Sequence, residues 1–99
     1  IPAPPTPSLP IEGSDQRFPV HRILCVGRNY AAHRAEMGGD DRDPPFFFSK
    51  PADAVVPPGG EVPYPLATAD LHHEIELVLA LSGGGSDIAE QDALSLVFG

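Results

Sequence analysis

Hydrophobic and polar positions alternate most regularly over residues 71–81, LHHEIELVLAL. In an extended chain this puts His73, Ile75, Leu77, Leu79 and Leu81 on one face and His72, Glu74, Glu76, Val78 and Ala80 on the other. The spacing predicts the clearest strand of the chain, with the first set as its core face. Residues 20–27, VHRILCVG, carry four apolar residues in a row (Ile23, Leu24, Cys25, Val26) before a glycine, which predicts a strand buried on both faces. Phe46-Phe47-Phe48-Ser49-Lys50 predicts a short strand that delivers the single lysine. Between them Asn29 can cap a short helix over residues 31–37, ended by Gly38-Gly39, and Ser86 or Asp87 can cap a second over residues 88–98.

Proline and glycine divide these elements. Residues 1–19 hold six prolines, too many missing N–H donors for a helix or central strand, and predict an arm along a sheet edge or against a partner subunit. Residues 40–45, DDRDPP, predict a charged mobile loop, Pro57-Pro58-Gly59-Gly60 a turn, and residues 62–66 at best an edge. The expected organisation is therefore a Pro-rich arm (1–19) followed by a folded portion (20–99) that includes a helix and loop at 29–48. Composition agrees with a folded, turn-rich chain: Leu, Ile, Val and Phe make up 26 of 99 residues, above the roughly 20% of disordered chains. No apolar run approaches the ~20 residues of a membrane span, and no secretory leader pattern opens the stretch. The single cysteine, Cys25, has no partner for an internal disulfide and no CxxC pair exists for zinc, so a reduced, cytoplasmic setting is expected. The chain starts at Ile1 and stops soon after its last predicted helix, and reads as cut at both ends.

Charge sharpens the picture. The net charge is −8, with all six basic residues and six acidic ones in residues 1–50, and eight acidic residues and no Lys or Arg in 51–99. Such a surface repels phosphate backbones and gives nucleic-acid binding no electrostatic drive. Alone, it also fits a merely soluble acidic face.

Two constellations stand out. Glu74 and Glu76 would project side by side from a strand, about 6.6 Å apart at roughly 3.3 Å rise per residue. Like carboxylates that close repel unless both are solvated or share a cation. A hard divalent ion such as Mg²⁺ suits oxygen donors; zinc or copper would call for more sulfur or imidazole. The plain alternative is the solvent face of an antiparallel strand, and His72-His73 divides between the two faces in the same way. The second constellation is His33 and Glu36, three apart on the short helix and so on one face of it. A carboxylate beside an imidazole fixes its tautomer and raises its basicity, as a general base requires; the alternative is an exposed surface pair. Arg28 and Lys50, each at a strand end, could bind an anionic group or be surface charges. No phosphate-binding glycine pattern and no GxSxG element is present, and Cys25 in an apolar strand fits a buried, inert thiol.

In combination, Cys25-Val26-Gly27-Arg28-Asn29-Tyr30-Ala31-Ala32-His33, Glu36-Met37-Gly38, Phe48-Ser49-Lys50-Pro51-Ala52 and Leu71-His72-His73-Glu74-Ile75-Glu76-Leu77 resemble the fumarylacetoacetate hydrolase family. Within it the chain is similar to the acylpyruvate hydrolases and, through residues 11–15 and 17–20, to the bacterial fumarylpyruvate hydrolases. The resemblance implies a mixed, β-rich α+β fold of the β-roll or sandwich type, present in its N-terminal part. It implies Glu74 and Glu76 as two of three carboxylate ligands for Mg²⁺ or Mn²⁺, and His33 and Glu36 as a water-activating dyad on a lid. Arg28, Tyr30 and Lys50 lie in blocks that line the substrate pocket. The third carboxylate and a later catalytic lysine have no counterpart here. The expected activity is metal-dependent hydrolysis of a carbon–carbon bond in an acylpyruvate, in aromatic-compound catabolism, by a cytoplasmic homodimer acting on a small anionic 2-oxo acid. A 2-oxo acid decarboxylase or tautomerase at the same metal site is the nearest alternative, and a non-catalytic metal- or partner-binding module a further one.

Overall fold

In a computed structural model the described residues are 1–38 and 44–99, with the backbone alone for Ala31, His33 and Arg34. The fold is a small, β-rich α+β arrangement whose chain divides into two compact units, Ile1–Pro63 and Tyr64–Gly99.

The first unit opens with a hairpin. Strands β1 (Ser8–Pro10) and β2 (Arg17–Pro19) pair antiparallel, with Leu9 opposite Phe18. Prolines are tolerated here because a two-stranded ladder has only edges, so a missing N–H leaves no neighbour unpaired. The predicted Pro-rich arm thus folds back on itself over part of its length. Two further bonds fasten it: Arg17 donates from Nε to Ser8 Oγ and from Nη2 to the Ser8 carbonyl, both at 2.8 Å. The Val20 N–H donates to the Pro7 carbonyl at 2.8 Å, and Val20 is the buried hydrophobic residue of the described chain.

The second pairing of this unit is the one that positions candidate chemistry. Strands β3 (Ile23–Gly27) and β4 (Phe46–Lys50) run antiparallel in the register Ile23↔Lys50, Cys25↔Phe48 and Gly27↔Phe46. Strand β4 forms over the predicted residues, and β3 over 23–27 of the predicted 20–27. The expectation of burial on both faces of β3 is corrected, since Leu24 is 67% exposed and its neighbour across the ladder face, Phe47, 64%. A strand is buried on both sides only when layers cover both, and a two-stranded ladder supplies none. Between the strands, α1 (Ala31–Glu36) ends at Gly38, whose φ of +73° and N–H bond to the Ala35 carbonyl (3.1 Å) make a left-handed helix stop. The loop predicted over 40–45 lies, for residues 40–43, outside the described residues.

The second unit departs further from expectation. The predicted strand over 71–81 is not formed as one; among the described residues no strand ladder includes 71–79. Ile75 is 89% and Leu77 81% exposed, so the predicted core face is uncovered. The physical reason is that alternation only makes a strand possible; ladder hydrogen bonds with a neighbour make it one. Where a neighbour exists, pairing appears: the Ala80 N–H donates to the Gly99 carbonyl and the Phe98 N–H to the Ala80 carbonyl, both at 2.7 Å, and Leu81 bridges Val97.

The predicted helix over 88–98 contracts to α2 (Glu90–Ala93) and a 3₁₀ turn, Leu94–Leu96. Asp87 sits at φ +54°, a left-handed conformation that Asp tolerates, so the helix starts only after it. At the far end the Ser95 hydroxyl donates to the Asp92 carbonyl at 2.6 Å, the local competition by which serine tightens or ends a helix. Val97 then leaves as extended chain to meet Leu81.

The hairpin clamp gives a direct test. Arg17→Ala should lower stability by about 0.5–1.5 kcal/mol in urea unfolding and speed exchange of the Val20 amide, while leaving the amides of β3 unchanged.

Candidate functional site

The turn after β3 collects the first group of candidate residues. Gly27 faces Phe46 across the ladder, and a Cβ on Gly27 would stand 2.0 Å from the Phe46 ring, so the ring lies directly over the glycine. The next residue, Arg28, has φ +56°. A left-handed conformation is rare for a long side chain, and such positions concentrate where the chain must aim a functional group. Here it turns the chain so that the Arg28 guanidinium carbon lies over the Phe46 ring, 5.8 Å from its centroid. The Phe48 ring stands beside it, centroids 6.3 Å apart and planes inclined at 32°.

Alternation along β4 puts Phe46, Phe48 and Lys50 on one face. Arg28 and Lys50 therefore occupy opposite ends of the β3–β4 pair, with Phe46 and Lys50 about 13 Å apart along the strand at roughly 3.3 Å per residue. Tyr30, half exposed, leads into α1. Helix α1 carries His33 and Glu36 three positions apart; Glu36 is exposed, and the His33 side chain lies outside the described residues. The first unit thus brings together Arg28, Tyr30 and the dyad helix on one short stretch after β3.

Glu74 and Glu76 belong to the second unit and are both exposed there, on a segment without regular structure. Its entry is fastened: the Leu71 N–H donates to the Tyr64 hydroxyl at 3.2 Å, and the Asp70 N–H to Thr68 Oγ1 at 3.1 Å. His72 Nε2 meets Asp70 Oδ1 at 2.7 Å, so the imidazole beside the two glutamates already has an acid partner. That leaves Glu74 and Glu76 as oxygen donors two residues apart, a donor set suited to a hard divalent ion rather than to zinc or copper. Among the described residues no three His, Cys, Asp or Glu side chains converge as a complete cation cage would.

Two contacts were not foreseen from the sequence. Asp70 as the partner of His72 was readable from their spacing of two, had the pair been sought. The Arg28–Phe46 contact was not, because it depends on the register that sets Phe46 opposite Gly27.

These elements are those of a known class. The fumarylacetoacetate (FAA) hydrolase C-terminal family matches residues 22–99, and the chain belongs to the fumarylacetoacetate hydrolase family. It is similar to a fumarylpyruvate hydrolase from Pseudomonas aeruginosa solved in complex with Mn²⁺ and pyruvate. The two are 58% identical with a TM-score of 0.86, over 97% of this chain and 44% of that one. It is also similar to the mitochondrial oxaloacetate decarboxylase of Dictyostelium discoideum, 40% identical over 79 residues, 79% of this chain and 36% of that protein. The mitochondrial oxaloacetate tautomerase FAHD1 of Arabidopsis thaliana is 41% identical over 80 residues, 79% of this chain and 35% of that protein. The chain spans about a third of the length of these curated relatives and less than half of the solved one.

The helix that carries His33 and Glu36 depends on its glycine stop. A Cβ at Gly38 would meet no atom within 4 Å, so the cost of Gly38→Ala is conformational, about 1 kcal/mol in denaturant unfolding. Gly38→Asn, which accepts the left-handed conformation more readily, should recover part of that loss.

Proposed function

We propose that the protein containing this chain hydrolyses a carbon–carbon bond in an acylpyruvate of the fumarylpyruvate kind, releasing pyruvate and a carboxylic acid. The observation that carries this reading is the likeness to the Pseudomonas enzyme, 58% identical over nearly the whole chain and solved with a divalent metal and pyruvate. The site residues support it: two exposed oxygen donors on one segment, and a basic and aromatic group after β3 suited to an anion.

Glu74 and Glu76 would hold Mg²⁺ or Mn²⁺ as two of its ligands. When bound, such an ion supplies Lewis-acid polarisation of the 2-oxo acid oxygens and offsets negative charge that develops there. Arg28, Tyr30 and Lys50 bind the anionic substrate, Arg28 by a two-pronged contact to carboxylate and Lys50 as a point charge. His33, its tautomer set by Glu36, takes a proton from water at its free ring nitrogen. The water oxygen then attacks the acyl carbonyl carbon. The bond from that carbon to C3 of the pyruvate unit breaks, its electron pair stays on the pyruvate part, and protonation there completes pyruvate. The acyl part leaves as the carboxylic acid.

A second reading has its own support. The decarboxylase and tautomerase relatives are 40% and 41% identical to this chain, and both reactions need an enolate but no attacking water. Assaying fumarylpyruvate and oxaloacetate side by side with the full-length protein and Mn²⁺ separates the two. The hydrolase reading expects the larger kcat/KM for fumarylpyruvate; carbon dioxide release from oxaloacetate with fumarylpyruvate untouched would favour the second.

Residue roles are tested in the same assay. His33→Ala should lower kcat by roughly 10²–10⁴ with a much smaller effect on KM. Glu76→Gln should raise the metal concentration needed for half-maximal activity by tenfold or more, and full activity at limiting Mg²⁺ would remove Glu76 from the ligand set.

A further inference from the structure

The chain is held by side chains on the three residues that run up to the Glu74–Glu76 segment. The Asp70 N–H donates to Thr68 Oγ1 at 3.1 Å, the Leu71 N–H to the Tyr64 hydroxyl at 3.2 Å, and His72 Nε2 meets Asp70 Oδ1 at 2.7 Å. The first and last of these contacts span two positions and shape the chain only locally; the Tyr64 contact spans seven and closes a loop. Tyr64 precedes Pro65, and a residue before proline is confined to extended backbone, so its ring projects from a stiff base. Two torsions place a tyrosine hydroxyl, so fixing it loses little rotamer freedom. Tyr64 and Leu71 are both half exposed, and the hydrogen bond rather than burial joins them. Among the described residues no strand ladder includes 71–79, so this bond stands where ladder pairing would otherwise start the segment. Two neighbouring carboxylates repel until a cation joins them, and a segment already ordered before binding gives up less freedom when the cation arrives.

We propose that Tyr64 is a positioning residue for divalent-cation binding: by accepting the Leu71 N–H, its hydroxyl sets where the chain enters the Glu74–Glu76 pair. This rests on the reading of Glu74 and Glu76 as metal donors. Tyr64 acts through the backbone and needs no contact with the cation itself. The hydroxyl is the property that matters, so phenylalanine, which keeps the ring, should not replace it.

The experiment uses the full-length protein and compares wild type, Tyr64→Phe, Glu76→Gln and the double variant. Kd for Mn²⁺ is measured from the electron paramagnetic resonance signal of the free ion, with no turnover needed, and kcat is measured separately at saturating Mn²⁺. Tyr64→Phe should raise the Kd about two- to tenfold, the fold-change that one neutral hydrogen bond supplies, and leave kcat at saturating metal unchanged. In the Glu76→Gln background the same substitution should add a smaller factor, because a single remaining carboxylate gains less from a fixed segment. Arg17→Ala, which loosens the hairpin of the first unit, should leave the Kd at its wild-type value; an equal rise there would mean that general destabilisation is being read, and overturns the proposal. Mn²⁺ binding that is indifferent to Glu76→Gln removes the metal reading and the proposal with it. Binding weakened by Glu76→Gln but unchanged by Tyr64→Phe overturns the proposal alone. Hydrogen exchange of the wild type needs no variant to fold: the Leu71 amide should be protected without metal and more so when Mg²⁺ is added. A Leu71 amide that exchanges as fast as an unstructured one in both conditions overturns the proposal.

Discussion

The candidate chemistry of the first unit depends on one pairing, β3 against β4, in the register that sets Gly27 opposite Phe46. A slip of one residue would send every side chain of β4 to the other face, taking Phe46, Phe48 and Lys50 away from the face they share with Gly27. With the register as it is, the absence of a Cβ at Gly27 lets the aromatic ring close over the backbone. The chain leaves through the left-handed Arg28 into α1, so the direction of the helix that bears His33 and Glu36 is set by the same strand end. A single local arrangement thus carries an anion-binding candidate, the aromatic ring beside it and the helix of the proposed base.

The second unit contributes a different kind of group. Its two glutamates stand on a segment fastened at its entry by Tyr64 and Thr68, while His72 is engaged by Asp70. The two units differ in their candidate groups: Arg28, Tyr30 and Lys50 lie in the first, and the Glu74–Glu76 pair in the second. This also gives the acidity of residues 51–99 a meaning beyond solubility. Two of its eight carboxylates are the proposed metal donors, so part of the net charge of −8 would be balanced by a bound ion.

Much of the local structure was legible in the sequence, and the reason is short range. The apolar run before Gly27, the Phe-rich run before Lys50 and the glycine stop at Gly38 each act within a few residues, and β3, β4 and the end of α1 follow them. What could not be read depends on partners distant along the chain. The alternation over 71–81 is that of a strand, but a strand also needs a neighbour, and ladder pairing appears at residues 80–82, where 96–99 supply one. The prolines of the arm argued against a central strand and correctly so, yet a hairpin made only of edges accepts them. Of the site, the residue types and their spacing were legible: Glu74 with Glu76, His33 with Glu36, Arg28 and Lys50 at strand ends. The contact of Arg28 with the Phe46 ring was not, since it follows from register rather than from any local pattern.

The central claim is that water enters the broken carbon–carbon bond. Incubating the full-length protein with Mn²⁺ and fumarylpyruvate in ¹⁸O-labelled water tests it most directly, by mass spectrometry of the carboxylic acid released. The account predicts one ¹⁸O atom in the newly formed carboxylate of that acid. A released acid without label, or a substrate that is isomerised or loses carbon dioxide while its acyl part stays attached, would contradict it.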